Sequence, residues 1–241
     1  MKRRIFFILT LIFSLMGFIY YHFKPIPMNE SNTMSIGAYD TYIIREDNSL
    51  WASGLATNSK TFIKILNDVR YVSAGFKHVF VIKKDNSLWA KGYNDFGNLG
   101  TEIEYMTEDF IKIMDDVSTV SSKKFHTLIV KKDGTLWSMG FNDSGQLGNG
   151  KIEKYPSSKK FSNPEKIMDN VIKVSTNMYS SLALKKDGTL WGFGSNLDGE
   201  LGLGVTVQDD FLKPIKITNN VLDMECGDGF SIILKRNGSL W

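Results

Sequence analysis

From residue 36 onward, short apolar runs alternate with clusters of Asp, Asn, Gly, Ser and Lys. One set of runs reads HVFVI at 78–82, HTLIV at 126–130, SLAL at 181–184 and SIIL at 231–234. Each is followed by Ser/Thr-Leu-Trp. The two runs are joined by Asp133-Gly134, Asp187-Gly188 or Asn237-Gly238, pairs suited to two-residue hairpin turns with positive φ. Asp47-Asn48 and Asp85-Asn86 serve the same place, because asparagine tolerates the left-handed region that glycine prefers. A second pair of short runs precedes each hairpin: FIKIL and VRYVS, FIKIM and VSTVS, PEKIM and VIKVS, PIKI and VLDME. Their valines and isoleucines suit strands. The pattern predicts an all-β chain with about four strands per unit of roughly fifty residues, as in β-propeller blades.

The units are repeats in sequence as well as in pattern. REDNSLWASG at 45–54, KKDNSLWAKG at 83–92, KKDGTLWSMG at 131–140, KKDGTLWGFG at 185–194 and KRNGSLW at 235–241 are copies of one motif. All five tryptophans, Trp51, Trp89, Trp137, Trp191 and Trp241, share one motif position. That placement predicts repeated packing between neighbouring blades, with the indoles buried. The glycines recur too, as Gly92, Gly97 and Gly100, Gly140, Gly145 and Gly148, and Gly194, Gly199 and Gly202. Gly145 to Lys151 has the spacing of a phosphate-binding loop. However, Ile152 stands where Ser or Thr must meet magnesium, and no helical pattern follows. These glycines are expected in blade-connecting loops, and no cofactor is expected.

DNSLWAKGYNDFGNLG, DGTLWSMGFNDSGQLG and DGTLWGFGSNLDGELG resemble the repeat of the regulator of chromosome condensation family, over residues 36–241. The resemblance implies a propeller, usually of seven blades. Here about 4–5 blades are expected as an incomplete, open propeller, with the last repeat truncated at Trp241. Two alternatives follow for the bare blade faces at its two ends: the chain is a fragment of a longer gene product, or two copies associate end to end to cover them. The copies also depart from the family pattern. The position of His78 and His126 holds Asp40, Ser180 and Phe230 elsewhere. An aromatic position after the tryptophan holds Ser53, Lys91, Met139 and Phe193. The first copy lacks the glycine loop and reads GLATNSKTF after Trp51 and two intervening residues.

Ahead of the repeats, MKRRIFFILTLIFSLMGFIYYHFKP has a basic start and an apolar run of near-spanning length. It predicts residues 1–4 in the cytoplasm, a transmembrane helix (signal anchor) at 5–23, a polar linker at 24–35, and the body outside the cytoplasm. Secretion after cleavage of a signal peptide is the alternative, although no small-residue cleavage site follows the run. The four charges of the first 24 residues, Lys2, Arg3, Arg4 and Lys24, are all positive and exceed the net +3, so the body is nearly neutral. That balance gives no electrostatic footprint for nucleic acid.

Candidate chemistry is sparse. Cys226 is the sole cysteine and reads as a small buried side chain. His78 and His126 share a repeat position and read as structural. The acidic stretch with Glu102, Glu104, Glu108 and Asp109 lacks the spacing of a calcium loop. No catalytic motif is present, so a non-enzyme is expected. The inter-motif loops vary most and are where binding is expected. Tyr105, Tyr155 and Phe161 are candidate anchors there, while Phe110 and Phe211 are expected to be buried. The expectation is a membrane-anchored extracytoplasmic binding module whose partner is a protein or cell-surface polymer. Two alternatives follow from the resemblance: a guanine nucleotide exchange factor-like regulator, and a secreted inhibitor like a β-lactamase inhibitory protein.

Overall fold

The computed structural model describes residues 33–103, 105–154, 163–203 and 209–241. The expected membrane helix at 5–23, Tyr155 and Phe161 lie outside the described residues. Among those described, no helix is long and apolar enough to cross a membrane.

Strands β1 (Met34–Ile36), β2 (Asp40–Ile44), β3 (Leu50–Gly54) and β4 (Ser59–Leu66) form the first four-stranded antiparallel sheet, in chain order. The second holds β5 (Val69–Ala74), β6 (His78–Lys83), β7 (Leu88–Tyr93) and β8 (Met106–Met114). The third holds β9 (Val117–Ser121), β10 (His126–Lys131), β11 (Leu136–Gly140) and β12 (Glu165–Met168). The fourth holds β13 (Val171–Thr176), β14 (Ser180–Lys185), β15 (Leu190–Gly194) and β16 (Phe211–Thr218). β17 (Val221–Cys226) pairs with β18 (Ser231–Lys235) as a fifth, two-stranded unit. The fold is all-β with blade-like sheets. β1 begins inside the stretch expected as linker, because Met34 pairs with Ile43.

Two local expectations change. The two runs before each hairpin do not share a sheet: β4 closes one blade and β5 opens the next, and likewise β8 and β9. The chain crosses between blades at Asp68, Asp116, Asn170 and Asn220, each with φ between 58° and 65°. The motif hairpins are not two-residue turns either. In the third blade Gly134 N–H donates to Lys131 O and Lys131 N–H donates to Thr135 O, both at 2.9 Å, closing a three-residue loop. Gly134 has φ 81° while Asp133 does not cross to positive φ. That is a type I turn with a glycine bulge. It frees the Asp133 carboxylate to accept the Thr135 N–H and hydroxyl at 2.9 and 2.7 Å.

The core lies between blades. Strand alternation sends Val79 and Val81 toward the first blade, beside Tyr42, Ile44 and Leu50. It sends Phe80, Ile82 and Leu88 toward the third, beside Val120, Ile129 and Met139. Leu128, Val174 and Phe193 build the next interface, and Leu182, Met224 and Cys226 the one after it.

Polar bonds repeat across the same interfaces. The first strand of each blade takes the N–H of the next blade on a serine. Ala74 N–H donates to Ser35 Oγ at 2.8 Å, Ser122 to Ser73 at 3.3 Å, Thr176 to Ser121 at 3.1 Å and Cys226 to Ser175 at 3.0 Å. His78 Nε2 meets Ser122 Oγ of the next blade at 2.7 Å, and His126 Nε2 meets Ser181 Oγ at 2.8 Å. Ser181 spends its proton on Gln146 O. Counting donors therefore assigns the Nε2–H tautomer to His126. Its Nδ1 is buried without a partner. Burial holds the imidazole of His78 down to a pKa of about 4 and that of His126 to about 3. Both histidines are neutral structural ties. Cys226 is buried as expected, and burial pushes its thiol up to about 11.

Candidate interaction surface

A four-stranded meander places its first-to-second and third-to-fourth loops at one end. The motif hairpins and inter-blade turns lie at the other. The hairpin end is uniform. Each tryptophan indole N–H donates to the hydroxyl two residues before it: Trp51 to Ser49, Trp89 to Ser87, Trp137 to Thr135, Trp191 to Thr189 and Trp241 to Ser239, at 2.8–3.0 Å. The first four of those hydroxyls donate in turn to Asp47, Asp85, Asp133 and Asp187. The hydroxyl bond first, and the backbone N–H second, hold these carboxyls below the usual aspartate range.

The indoles are not fully buried. Trp51, Trp89, Trp137 and Trp191 are half-buried, and Trp241 is 74% exposed. Trp89 and Trp137 pack on the rims of the inter-blade cores. The guanidinium of Arg45 covers Trp51 at 3.6 Å, and the amines of Lys83 and Lys185 cover Trp89 and Trp191 at 4.2 and 5.0 Å. The hairpin places each cation above its ring, so the outer edge of the indole stays at the surface.

The glycine loops lie at the opposite end. Gly97, Gly100, Gly145, Gly148, Gly199 and Gly202 all have positive φ. Asn94, Asn142 and Asn196 each accept, on Oδ1, the N–H of the loop leucine, Leu99, Leu147 or Leu201, at 2.7–3.0 Å. This pins the leucine inward. Gly140 and Gly194 end their third strands and Gly92 stands one residue before the end of β7, each against the preceding loop, and a Cβ on Gly140 would lie 2.6 Å from Phe125 O. Lys151 pairs with Glu165 at 3.1 Å, and Glu153 bridges to Asn142, so this segment is no phosphate loop.

The same end carries the exposed aromatics. Tyr105 is 63% exposed, whereas Phe110 and Phe211 pack partly against the inter-blade cores. Tyr39, Phe76, Tyr93, Tyr179 and Phe230 are exposed there too. They sit in the first-to-second strand turns and at the end of β7, inside the repeat itself, and not in the variable inter-motif loops. Tyr39 and Phe76 meet edge-on at 5.8 Å, and Lys77 Nζ stands 4.9 Å from the Tyr93 ring. Phe96, Phe125 and Phe141 form a further cluster with centroids 4.5–5.8 Å apart. Near the inner strands Lys123 bridges to Glu225 at 3.1 Å and Lys124 to Asp228 at 3.5 Å, tying the third blade to the fifth. Among the described residues no cluster of three or more His, Cys, Asp or Glu side chains could hold a metal ion.

Two models of the regulator of chromosome condensation (RCC1) repeat match the chain, one at residues 133–184 and 187–234, the other at 69–98 and 117–146. Together they cover more than half of it. No curated protein matches it in sequence. Among solved structures, Prp20p from Saccharomyces cerevisiae, described for its binding to Gsp1p and histones, superposes with a TM-score of 0.71 at 22% identity, over 86% of this chain and 57% of that one. Human WBSCR16 gives 0.71 at 23% identity, over 88% and 61%. The ectodomain of the Physcomitrella patens receptor kinase CR4 gives 0.56 at 10% identity, over 87% and 52%. The chain spans less than two thirds of the length of these proteins, and the likeness is one of fold.

Proposed function

We propose a function for this chain as a member of the regulator of chromosome condensation repeat family, to which it belongs: it is a non-catalytic protein-binding module. The observation that carries this reading is the gathering of six exposed aromatics, Tyr39, Phe76, Tyr93, Tyr105, Tyr179 and Phe230, at the loop end of the blades. The hairpin end repeats polar Asp-Asn, Asp-Gly and Asn-Gly turns beside half-buried indoles, and Trp241 is the exposed aromatic there. Large rings on a rigid repeat scaffold supply contact area at low entropic cost. The binding of Prp20p to Gsp1p and histones supports a protein as the partner class. The basic start and apolar run of residues 2–21 support a membrane anchor with the body extracytoplasmic. Exposed Met34, Ile36, Ile232 and Trp241 on the first and fifth blades support pairing of two copies by those blades.

Photo-crosslinking in the native cell tests the binding reading. A crosslinker at Phe76 or Tyr179 should capture a partner protein that one at Lys132 or Lys186 does not. Capture only from the lysine positions would overturn it. Intact mass and external protease accessibility of membrane fractions test the anchor, and light scattering of the purified full chain tests pairing.

A further inference from the structure

Three inter-blade junctions carry a glycine loop that plugs the space between neighbouring blades. Leu99 is fully buried in the core between the second and third blades, and Leu201 lies in that between the fourth and fifth. The loop backbone packs on the neighbouring blade. Gly100 abuts the thioether of Met139, and a Cβ on Gly148 would lie 2.8 Å from the ring of Phe193. Met139 and Phe193 are fully buried beneath those loops.

The junction between the first and second blades lacks the plug. The third strand of the first blade runs into a single 3-10 turn, Leu55–Thr57, that contributes no buried residue. Lys91 takes the position that Met139 and Phe193 hold elsewhere, and it is only half-buried. A cleft of about 200 Å³ results, floored by Tyr42, Ile65, Val79 and Phe110. Lys91 lines it on one strand, and Glu108 and Asp109 line it on the next. Lys91 makes no ion pair among the described residues.

We propose that this cleft receives one leucine-sized aliphatic side chain from a partner peptide, with charged residues of both signs flanking it. The inference rests on the protein-binding reading and names the recognition element. Two observations select the occupant. The molecule itself fills the equivalent junctions with leucine. The substitution of Lys91 for a buried apolar residue adds a cation to a rim that already carries two acids, so the flanking groups are charged rather than apolar. A leucine side chain also fits the volume, and the buried floor supplies apolar contact on the inner side.

The test uses acetyl-Glu-Leu-Lys-amide as the probe, titrated into the full chain while the methyl signals of Ile65 and Val79 are followed by NMR. The probe should shift both signals, and replacing its leucine by alanine should weaken binding roughly tenfold. Replacing its glutamate by glutamine should weaken binding about threefold, and Lys91→Met, which installs the residue of the third blade, should erase that threefold preference. Equal affinity of the leucine and alanine probes, shifts confined to other sites, or a glutamate preference that survives Lys91→Met would overturn the proposal. Those failures leave the crosslinking result untouched, so the two readings fall separately.

Discussion

Acidification should loosen this chain through its two inter-blade histidines. His78 and His126 are buried, neutral and hydrogen-bonded through Nε2 to the next blade. Burial lowers their folded pKa values to about 4 and about 3, against about 6.5 in an unfolded chain. Between those limits the unfolded state binds the protons. The stabilisation is therefore complete above about pH 6.5 and is lost as pH falls below it. Near pH 5 each histidine should cost about 2 kcal/mol relative to pH 8, and about 4 kcal/mol together. That sum barely depends on whether the folded value is 3 or 4, because at pH 5 both rings are neutral in the folded state either way. It is a large share of the 5–15 kcal/mol typical of a domain. Asp47, Asp85, Asp133 and Asp187 act in the same sense, because their folded values are lowered too, but their contribution is lost only below about pH 4, outside the window compared. Urea unfolding of the full chain, followed by tryptophan fluorescence at both pH values, reads the difference. The double variant His78→Gln, His126→Gln should keep an amide donor to each serine and lose most of the pH dependence. A wild-type midpoint that does not move, or a double variant with the same dependence, would refute the reasoning.

Further outcomes can be read in the same assay. Trp137→Ala should cost about 2 kcal/mol, below the 3–5 of a fully buried large aromatic, while Trp241→Ala should cost less than about 0.5. Equal losses would contradict the difference in their burial. Gly140→Ala should destabilise by at least about 2 kcal/mol, because the φ of 108° and the Phe125 carbonyl both oppose a Cβ. Gly202→Ala, with φ 66° and open space around it, should cost only about 1 kcal/mol. Ser180→Ala should cost nothing, or stabilise by up to about 1 kcal/mol, because that buried hydroxyl has no partner. A loss above that size would reveal a partner for it.

The sequence alone determined what is local and repeated. Alternating valine and isoleucine runs specified strands, and the Asp-Gly and Asp-Asn pairs marked their turns. The shared tryptophan position fixed the repeat, and the shared histidine position marked a structural role. These are readable because turn geometry and strand period depend on neighbours within a few residues. Tertiary structure decided what depends on pairing at a distance. The Asn67-Asp68 turn between FIKIL and VRYVS looks like another hairpin turn in sequence. Yet β4 takes its hydrogen bonds from β3 and β5 takes its own from β6, because only that division buries Val69 and Val72 against the first blade. The same division decided which loops share an end, and so gathered Tyr39, Phe76 and Tyr179 from separate repeats. The half-exposure of the tryptophans has a related cause. For Trp51, Trp89, Trp191 and Trp241 the partner is a cation six residues earlier, placed over the ring by the bulged turn, and period alone does not show which edge of a ring a blade leaves to water. The cleft beside Lys91 needed both levels: the missing glycine loop stands in the sequence, but only packing of two blades turns that gap into a cavity.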